Sequence, residues 1–251
     1  MSIKTQSEIE KMRISGRILA NTLKILTEMA VEGITPKDLA KVAASELKRN
    51  GATATFLGYG GTPPYPDVIC ISVNDQVQHS VPTNIPLKNG DIVNFDFGVT
   101  YDGLVTDSGV TICVGGVPNQ SQRRLLEGTK QALYDAISII KPGIKVGDIS
   151  STIEKTLRKY KLGIVKELVG HGVGHELHED LEVPNYGKAG TGPVLKPGMT
   201  IAVEPITTLG KPDIYQDNDG WTLRTWDGSL SAQFEHTILI TENGCEVLTA
   251  L

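Results

Sequence analysis

Two kinds of hydrophobic spacing alternate along this chain. Apolar residues recur at helical spacing from Glu8 to Ala30 and again from Gln120 to Ile140, predicting two long helices. Each is followed by a Gly-Ile turn and a second amphipathic helix, at about 36–49 and about 146–160. The spacing then switches to two. Asp91–Val99 sets Val93, Phe95 and Phe97 against Asn94, Asp96 and Gly98, and a second β-rich run extends from Leu104 to Val114. Thr100-Tyr-Asp-Gly103 between them reads as a tight turn, so the pair predicts a hairpin. Further β-rich stretches are Thr200–Ile206 and Ser231–Thr241.

The order of elements repeats. Gly33-Ile-Thr-Pro-Lys-Asp-Leu39 recurs as Gly143-Ile-Lys-Val-Gly-Asp-Ile149, and Leu47-Lys48 matches Leu157-Arg158. Asp38 and Asp148 fall near the starts of the second helices, as cap or first-turn charges. The chain therefore reads as α/β (α+β), with two pseudo-symmetric α-α-β-β halves of about 1–115 and 116–251 in a single domain. Their strands are expected to join in one curved antiparallel sheet with the helices outside. No linker or low-complexity run marks a separate domain, and Thr62–Pro66 is a stiff loop within the first half.

Five residues in these strand-like or glycine-rich stretches carry the chemistry: Asp96, Asp107, His171, Glu204 and Glu235. If the turn is centred between Tyr101 and Asp102, Asp96 faces Asp107; if it is centred on Asp102-Gly103, the two sit diagonally on one face. At about 4 Å two carboxylates repel by about 4 kcal/mol at an effective dielectric of 20, so either register calls for a shared proton or a cation. A solvated hairpin with two unrelated aspartates fits the same pattern. Glu204 and Glu235 stand among apolar residues, where a charge is costly unless paired or metal-bound, although an edge strand facing water would also hold one. His171 lies in Gly170-His-Gly-Val-Gly-His-Glu-Leu-His178, whose three glycines argue against a helix. His171 and His175 are thus not a helical metal pair, and the zincin pattern fails because His178 follows His175 by three positions.

Composition sets the outer bounds. With 251 residues and 39% apolar content, the chain has material for one large core or two fused halves. Its net charge of -5 gives no broad attraction to nucleic acid or membrane. The three cysteines, Cys70, Cys113 and Cys245, are odd in number and without zinc-finger spacing, which fits buried thiols in a reducing compartment. The amino-terminal residues lack a signal-peptide core and no stretch reaches transmembrane length, so a cytoplasmic protein is expected.

The stretches Cys70-Ile-Ser-Val-Asn, Asn94-Phe-Asp-Phe-Gly, Thr106-Asp-Ser, Gly170-His-Gly-Val-Gly, Glu204-Pro and Ser231-Ala-Gln-Phe-Glu-His-Thr resemble those of type I methionine aminopeptidases in order and separation, over nearly the whole chain. The resemblance implies the pita-bread fold of that family and hydrolysis of the first peptide bond of nascent polypeptides whose second residue is small. It implies two divalent ions, cobalt, manganese, iron or zinc, with Asp96 as a two-oxygen ligand of one, His171 and Glu204 on the other, and Asp107 and Glu235 bridging. Glu204 would accept the proton of the attacking water, His178 would stabilise the tetrahedral intermediate, and His79 would contact the peptide nitrogen. The methionine pocket would be walled by Tyr59, Cys70, Leu177 and Trp221, with Phe56 at the rim. By the same resemblance the partners are nascent amino termini, reached at the ribosome, and the enzyme is a monomer. The chain opens Met1-Ser2, so it is itself a fitting substrate.

Two departures bear on the pocket mouth: Ser80 stands where the family usually has glycine, and a Pro-rich insertion occupies Thr62–Pro66. Rival readings are weaker. Xaa-Pro aminopeptidases and prolidases share the fold and ligand order but usually carry a further amino-terminal domain. Metal-free relatives acting as binding modules typically lose ligands, and all five are present here. No Gly-x-Ser-x-Gly elbow appears, and no cysteine has the histidine context of a nucleophile.

Overall fold

The computed structural model describes residues 2–250, so Met1 of the expected self-substrate lies outside the described residues. Four helices form where the periodicity put them: α1 Gln6–Met29, α2 Pro36–Arg49, α3 Gln120–Ile139 and α4 Val146–Lys159. Their starts are encoded locally. Thr5 and Glu8 make a capping box on α1, Asn119 and Gln122 make another on α3, and Thr35 caps α2 ahead of Pro36. Asp148 accepts the backbone N–H of Lys145 at 2.9 Å and Asp38 accepts the Thr35 hydroxyl at 2.6 Å, so both aspartates hold helix starts as expected.

Each helix pair buries its apolar stripe on the strands of its own half. Leu19, Leu23 and Leu26 of α1 and Leu39, Ala43 and Leu47 of α2 pack with Phe95, Phe97 and Ile71. Leu125, Leu133 and Ala136 of α3 and Ile149, Ile153 and Leu157 of α4 pack with Ile201, Val203, Ile238 and Ile240. The repeat extends into hydrogen bonding. The N–H of Gly33 donates to Leu87 and that of Leu87 to Ile34; in the second half Gly143 donates to Leu195, and Leu195 to Ile144. The two turn glycines have φ of +92° and +89°, which a side chain would strain. Past these leucines, Leu87-Lys-Asn-Gly90 and Leu195-Lys-Pro-Gly198 lead into equivalent strands, and Asp96 and Glu204 each lie six residues beyond the glycine.

In the first half, Ile92–Tyr101 and Leu104–Cys113 form the expected hairpin, with Cys70–Val73 and Thr53–Ala54 pairing on the far side of Ile92–Tyr101. In the second half, Thr200–Val203 lies between His236–Ile240 and Gly170–Gly172, while Ile206–Thr208 pairs with Ser231–Gln233. The antiparallel surface is built of hydrogen-bonded segments rather than one unbroken ladder. Its halves meet where Glu235 N–H donates to Gly109 at 2.8 Å and the Thr237 hydroxyl donates to the Asp107 carbonyl at 2.7 Å. No helix among the described residues is long and apolar enough to cross a membrane.

Candidate metal centre

The turn decides between the two registers of the aspartate pair. Tyr101 pairs with Leu104, leaving Asp102 and Gly103 as a two-residue turn with φ of +47° and +80°. Asp96 therefore faces Gly109 and Asp107 faces Gly98, so the carboxylates are diagonal on one face.

The two glutamates come from interrupted strands. Val203 pairs with His236 and Ile206 with Gln233, leaving Glu204-Pro205 and Phe234-Glu235 between the two ladders. Proline has no N–H to donate, and the ladder breaks there. Both β-rich stretches are thus interrupted, and the break sits at the two glutamates. His171 is carried on Gly170–Gly172, and a Cβ on Gly170 would approach the Ala202 carbonyl oxygen to 2.4 Å, so close strand packing requires this glycine. The His171 Nδ1 donates to the Gly172 carbonyl at 3.0 Å. Its Nε2 is left 3.5 Å from Glu204 Oε1 and 3.9 Å from Asp107 Oδ2. Asp107, His171 and Glu235 each bring a ligand atom within 4.8 Å of the others.

All five groups are at most 8% exposed. Burial and mutual repulsion raise the carboxyls of Asp96, Glu204 and Glu235 well above their ordinary range, and burial pushes Asp107 up to about 7. Burial, with His178 alongside, lowers His171 to about 3, which keeps its imidazole neutral as a ligand must be. Asp96 Oδ1 and Glu235 Oε1 are buried without a hydrogen-bond partner. Four carboxylates, one neutral imidazole, no thiolate and two orphaned oxygens are a donor set that fits divalent cations.

Three supporting residues escaped the sequence reading. Gln233 Nε2 donates to Glu235 Oε2 at 3.1 Å, and Asn94 Nδ2 donates to Gln233 Oε1 at 3.1 Å. Each precedes a carboxylate of the cluster by two residues, the spacing that puts strand side chains on one face, and that was the available signal. Thr237, two residues beyond Glu235, exchanges hydrogen bonds with the Asp107 backbone.

A cavity of about 450 Å³ opens onto these five groups, lined by Phe56, Tyr59, Cys70, His79, Leu177, His178 and Trp221, and also by Tyr65 and Gln78. Both aromatic residues of the first loop line the cavity, Phe56 more deeply than Tyr59. Phe56 is 7% exposed and Tyr59 39%, because Gly98 leaves room for the Phe56 ring, which a Cβ would meet at 2.6 Å. Tyr59 instead places its hydroxyl 2.6 Å from His178 Nδ1. Tyr65, edge-on to Phe56 and Trp221, is fixed by hydrogen bonds from its hydroxyl to the Ile69 and Ser80 carbonyls. Burial lowers His178, and lowers His79 to about 4, so both rings are neutral near pH 7. The Pro-rich loop does shape the mouth, since Trp221 Nε1 donates to the Pro63 carbonyl at 3.2 Å. Ser80 does not line the cavity; its buried hydroxyl accepts from Ser72 at 3.0 Å. His175 lies apart from the ligands, its Nε2 2.7 Å from Glu8. Cys70 and Cys113 are buried thiols, whereas Cys245 is partly exposed.

Comparison with known proteins agrees with this geometry. Residues 10–242 match the model of metallopeptidase family M24. A methionine aminopeptidase from Aquifex aeolicus is 43% identical, with 98% of each chain covered. A crystal structure of a methionine aminopeptidase from Thermotoga maritima superposes with a TM-score of 0.96 at 44% identity, covering 100% of both chains. A prolidase from Pyrococcus furiosus shares the fold at a TM-score of 0.80 and 28% identity, but this chain covers only 65% of it. On these grounds the chain belongs to the methionine aminopeptidases of metallopeptidase family M24.

Proposed function

We propose that this protein removes the amino-terminal methionine from nascent proteins and peptides, favouring a small second residue, and that the whole chain is one catalytic domain acting as a monomer in the cytoplasm. Two divalent ions, manganese, iron, cobalt or zinc, would be held by Asp96, Asp107, His171, Glu204 and Glu235. When bound they supply an activated water and a Lewis acid for the scissile carbonyl. The observation that carries the reading is that the buried carboxylate-imidazole cluster and a cavity walled by Phe56, Tyr65, Cys70, Leu177 and Trp221 are one continuous space.

The apolar walls take the methionine side chain and discriminate by fit, worth about 1–3 kcal/mol per methylene. Glu204 accepts a proton from the attacking water and passes it to the leaving amine. The neutral His178 donates a hydrogen bond from Nε2 to the oxygen that becomes negative, with its Nδ1 held by Tyr59. His79 contacts the peptide nitrogen of the substrate. The amino termini emerging from the ribosome are the natural partners, and the net charge of -5 gives no reason to add nucleic acid.

The test is a release assay on Met-Ala-Ser and on Ala-Pro peptides, using metal-stripped protein with manganese, iron, cobalt or zinc restored singly. Methionine release that depends on added metal is expected. Preferential cleavage before proline would turn the assignment toward the prolidases, and no release with any metal would leave a binding module.

A further inference from the structure

The Glu179 carboxylate, at the start of the strand Glu179–Val183 and next to His178, collects donors from two distant parts of the chain. Lys4 Nζ reaches Oε1 at 2.7 Å, the Ser2 backbone N–H reaches Oε2 at 3.0 Å, and the Ser2 hydroxyl lies 2.8 Å from Oε2. From the glycine-rich loop itself the His175 N–H donates to Oε1 at 2.9 Å. The Lys4 and Glu179 side chains are 0% and 7% exposed. Burial alone would raise the Glu179 carboxyl, but these hydrogen bonds outweigh it and hold the group at about 2.

Other contacts join the same two segments. Glu8 Oε1 lies 2.7 Å from His175 Nε2. Gly174, at φ +147°, runs so close over the Lys4 stem that a Cβ there would come within 2.2 Å of Lys4 Cε. The Lys4 N–H donates to the Gly198 carbonyl at 2.9 Å, just ahead of the strand Thr200–Val203 that leads to Glu204. Residues 2–8 thus grip the loop between His171 and Glu179 from Gly174 to its end, and bind it to the framework of the second half.

We propose that the amino-terminal segment Ser2–Glu8 is a clamp that positions His178, acting through Glu179 and His175. None of its members lies at the reacting atoms; Lys4, Ser2 and Glu8 are positioning residues. A loop that contains Gly172 and Gly174 has many accessible conformations, and a hydrogen-bond donor must sit within a fraction of an ångström of the developing oxyanion to be effective. A buried ion pair with four further hydrogen bonds restricts the loop where glycine cannot. This rests on the role given to His178 above.

The test is a double-variant cycle in the metal-loaded protein. Lys4→Met, which keeps the apolar stem, is expected to lower kcat by about ten- to a hundredfold with KM and bound metal unchanged. In a His178→Ala background the same substitution should cost almost nothing further, because the residue being positioned is gone. Glu8→Gln, which keeps a side chain able to close the α1 capping box, should show a smaller loss with the same non-additivity. Equal losses of kcat in both backgrounds, or unchanged kcat with only a lower Tm, would overturn the clamp. A His178→Ala variant that itself retains full kcat would instead overturn the catalytic role of His178.

Discussion

Asp96 and Asp107 lie diagonally across one hairpin, each opposite a glycine: Gly109 faces Asp96 and Gly98 faces Asp107. The missing side chains are occupied space. A Cβ on Gly98 would strike the Phe56 ring at 2.6 Å, and one on Gly109 would strike Gln233 Oε1 at 2.4 Å. The hairpin thus brings the carboxylates to one face and admits a pocket wall on one side and a supporting amide on the other.

The first prediction follows from the Gly109 contact. Gly109→Ala must displace Gln233, whose amide donates to Glu235. Metal affinity should fall about 10- to 100-fold, the usual cost of losing an outer hydrogen bond to a ligand, and titration calorimetry measures it. The double variant Gly109→Ala/Gln233→Ala should bind no more weakly than Gln233→Ala alone. A further loss in the double variant would show that the alanine acts by another route.

Bridging by Asp107 and Glu235 predicts a larger effect. Asp107→Asn or Glu235→Gln should lose most activity and weaken both ions together, by more than the about 10–100-fold expected of an outer hydrogen bond. Metal content after dialysis and turnover of a methionyl peptide check it. Two ions per chain with normal turnover in either variant would remove the bridging roles.

The histidines should separate by metal content. His178→Ala should lower kcat by about 10²-fold or more with metal retained, whereas His171→Ala should lose metal. Tyr59→Phe removes the partner of His178 Nδ1 and no more; one hydrogen bond of about 0.5–1.5 kcal/mol corresponds to a roughly two- to tenfold fall in kcat. Equal metal loss in the two histidine variants would refute the division of roles.

Metal binding should release protons. Without ions the four carboxyls are raised, Asp107 to about 7, so at about pH 6 Asp107 holds a proton that a cation must displace. As pH rises past that value Asp107 is already ionised and its share of the release vanishes; the neutral His171 contributes none. Calorimetry in two buffers of different ionisation enthalpy should therefore find more protons released per ion at about pH 6 than at about pH 8. An equal count at both would mean that Asp107 does not titrate between them, and no release at either would mean that the carboxyls ionise without metal.

What the sequence determined by itself was mostly local. Helix starts at Thr5, Thr35 and Asn119 are written in caps three residues from their partners, and apolar periodicity needs no tertiary context to be read. The four carboxylates of the candidate site were legible because charged residues stand out in apolar stretches, His171 because it stands among glycines, and the repeat because both Gly-Ile turns need the same left-handed glycine. Tertiary structure decided the rest. The hairpin register depended on which two residues took positive φ, and one step of register changes which residues oppose each other. Pro205 announces a break beside Glu204, but that Phe234-Glu235 lies opposite it follows only from the pairing of the two ladders. Phe56 is buried in space that Gly98, on the strand Ile92–Tyr101, leaves open. The grip of Lys4 on Glu179 spans 175 residues of chain: nothing near either residue announces the other, and only the packed fold brings a buried lysine to the carboxylate that satisfies it.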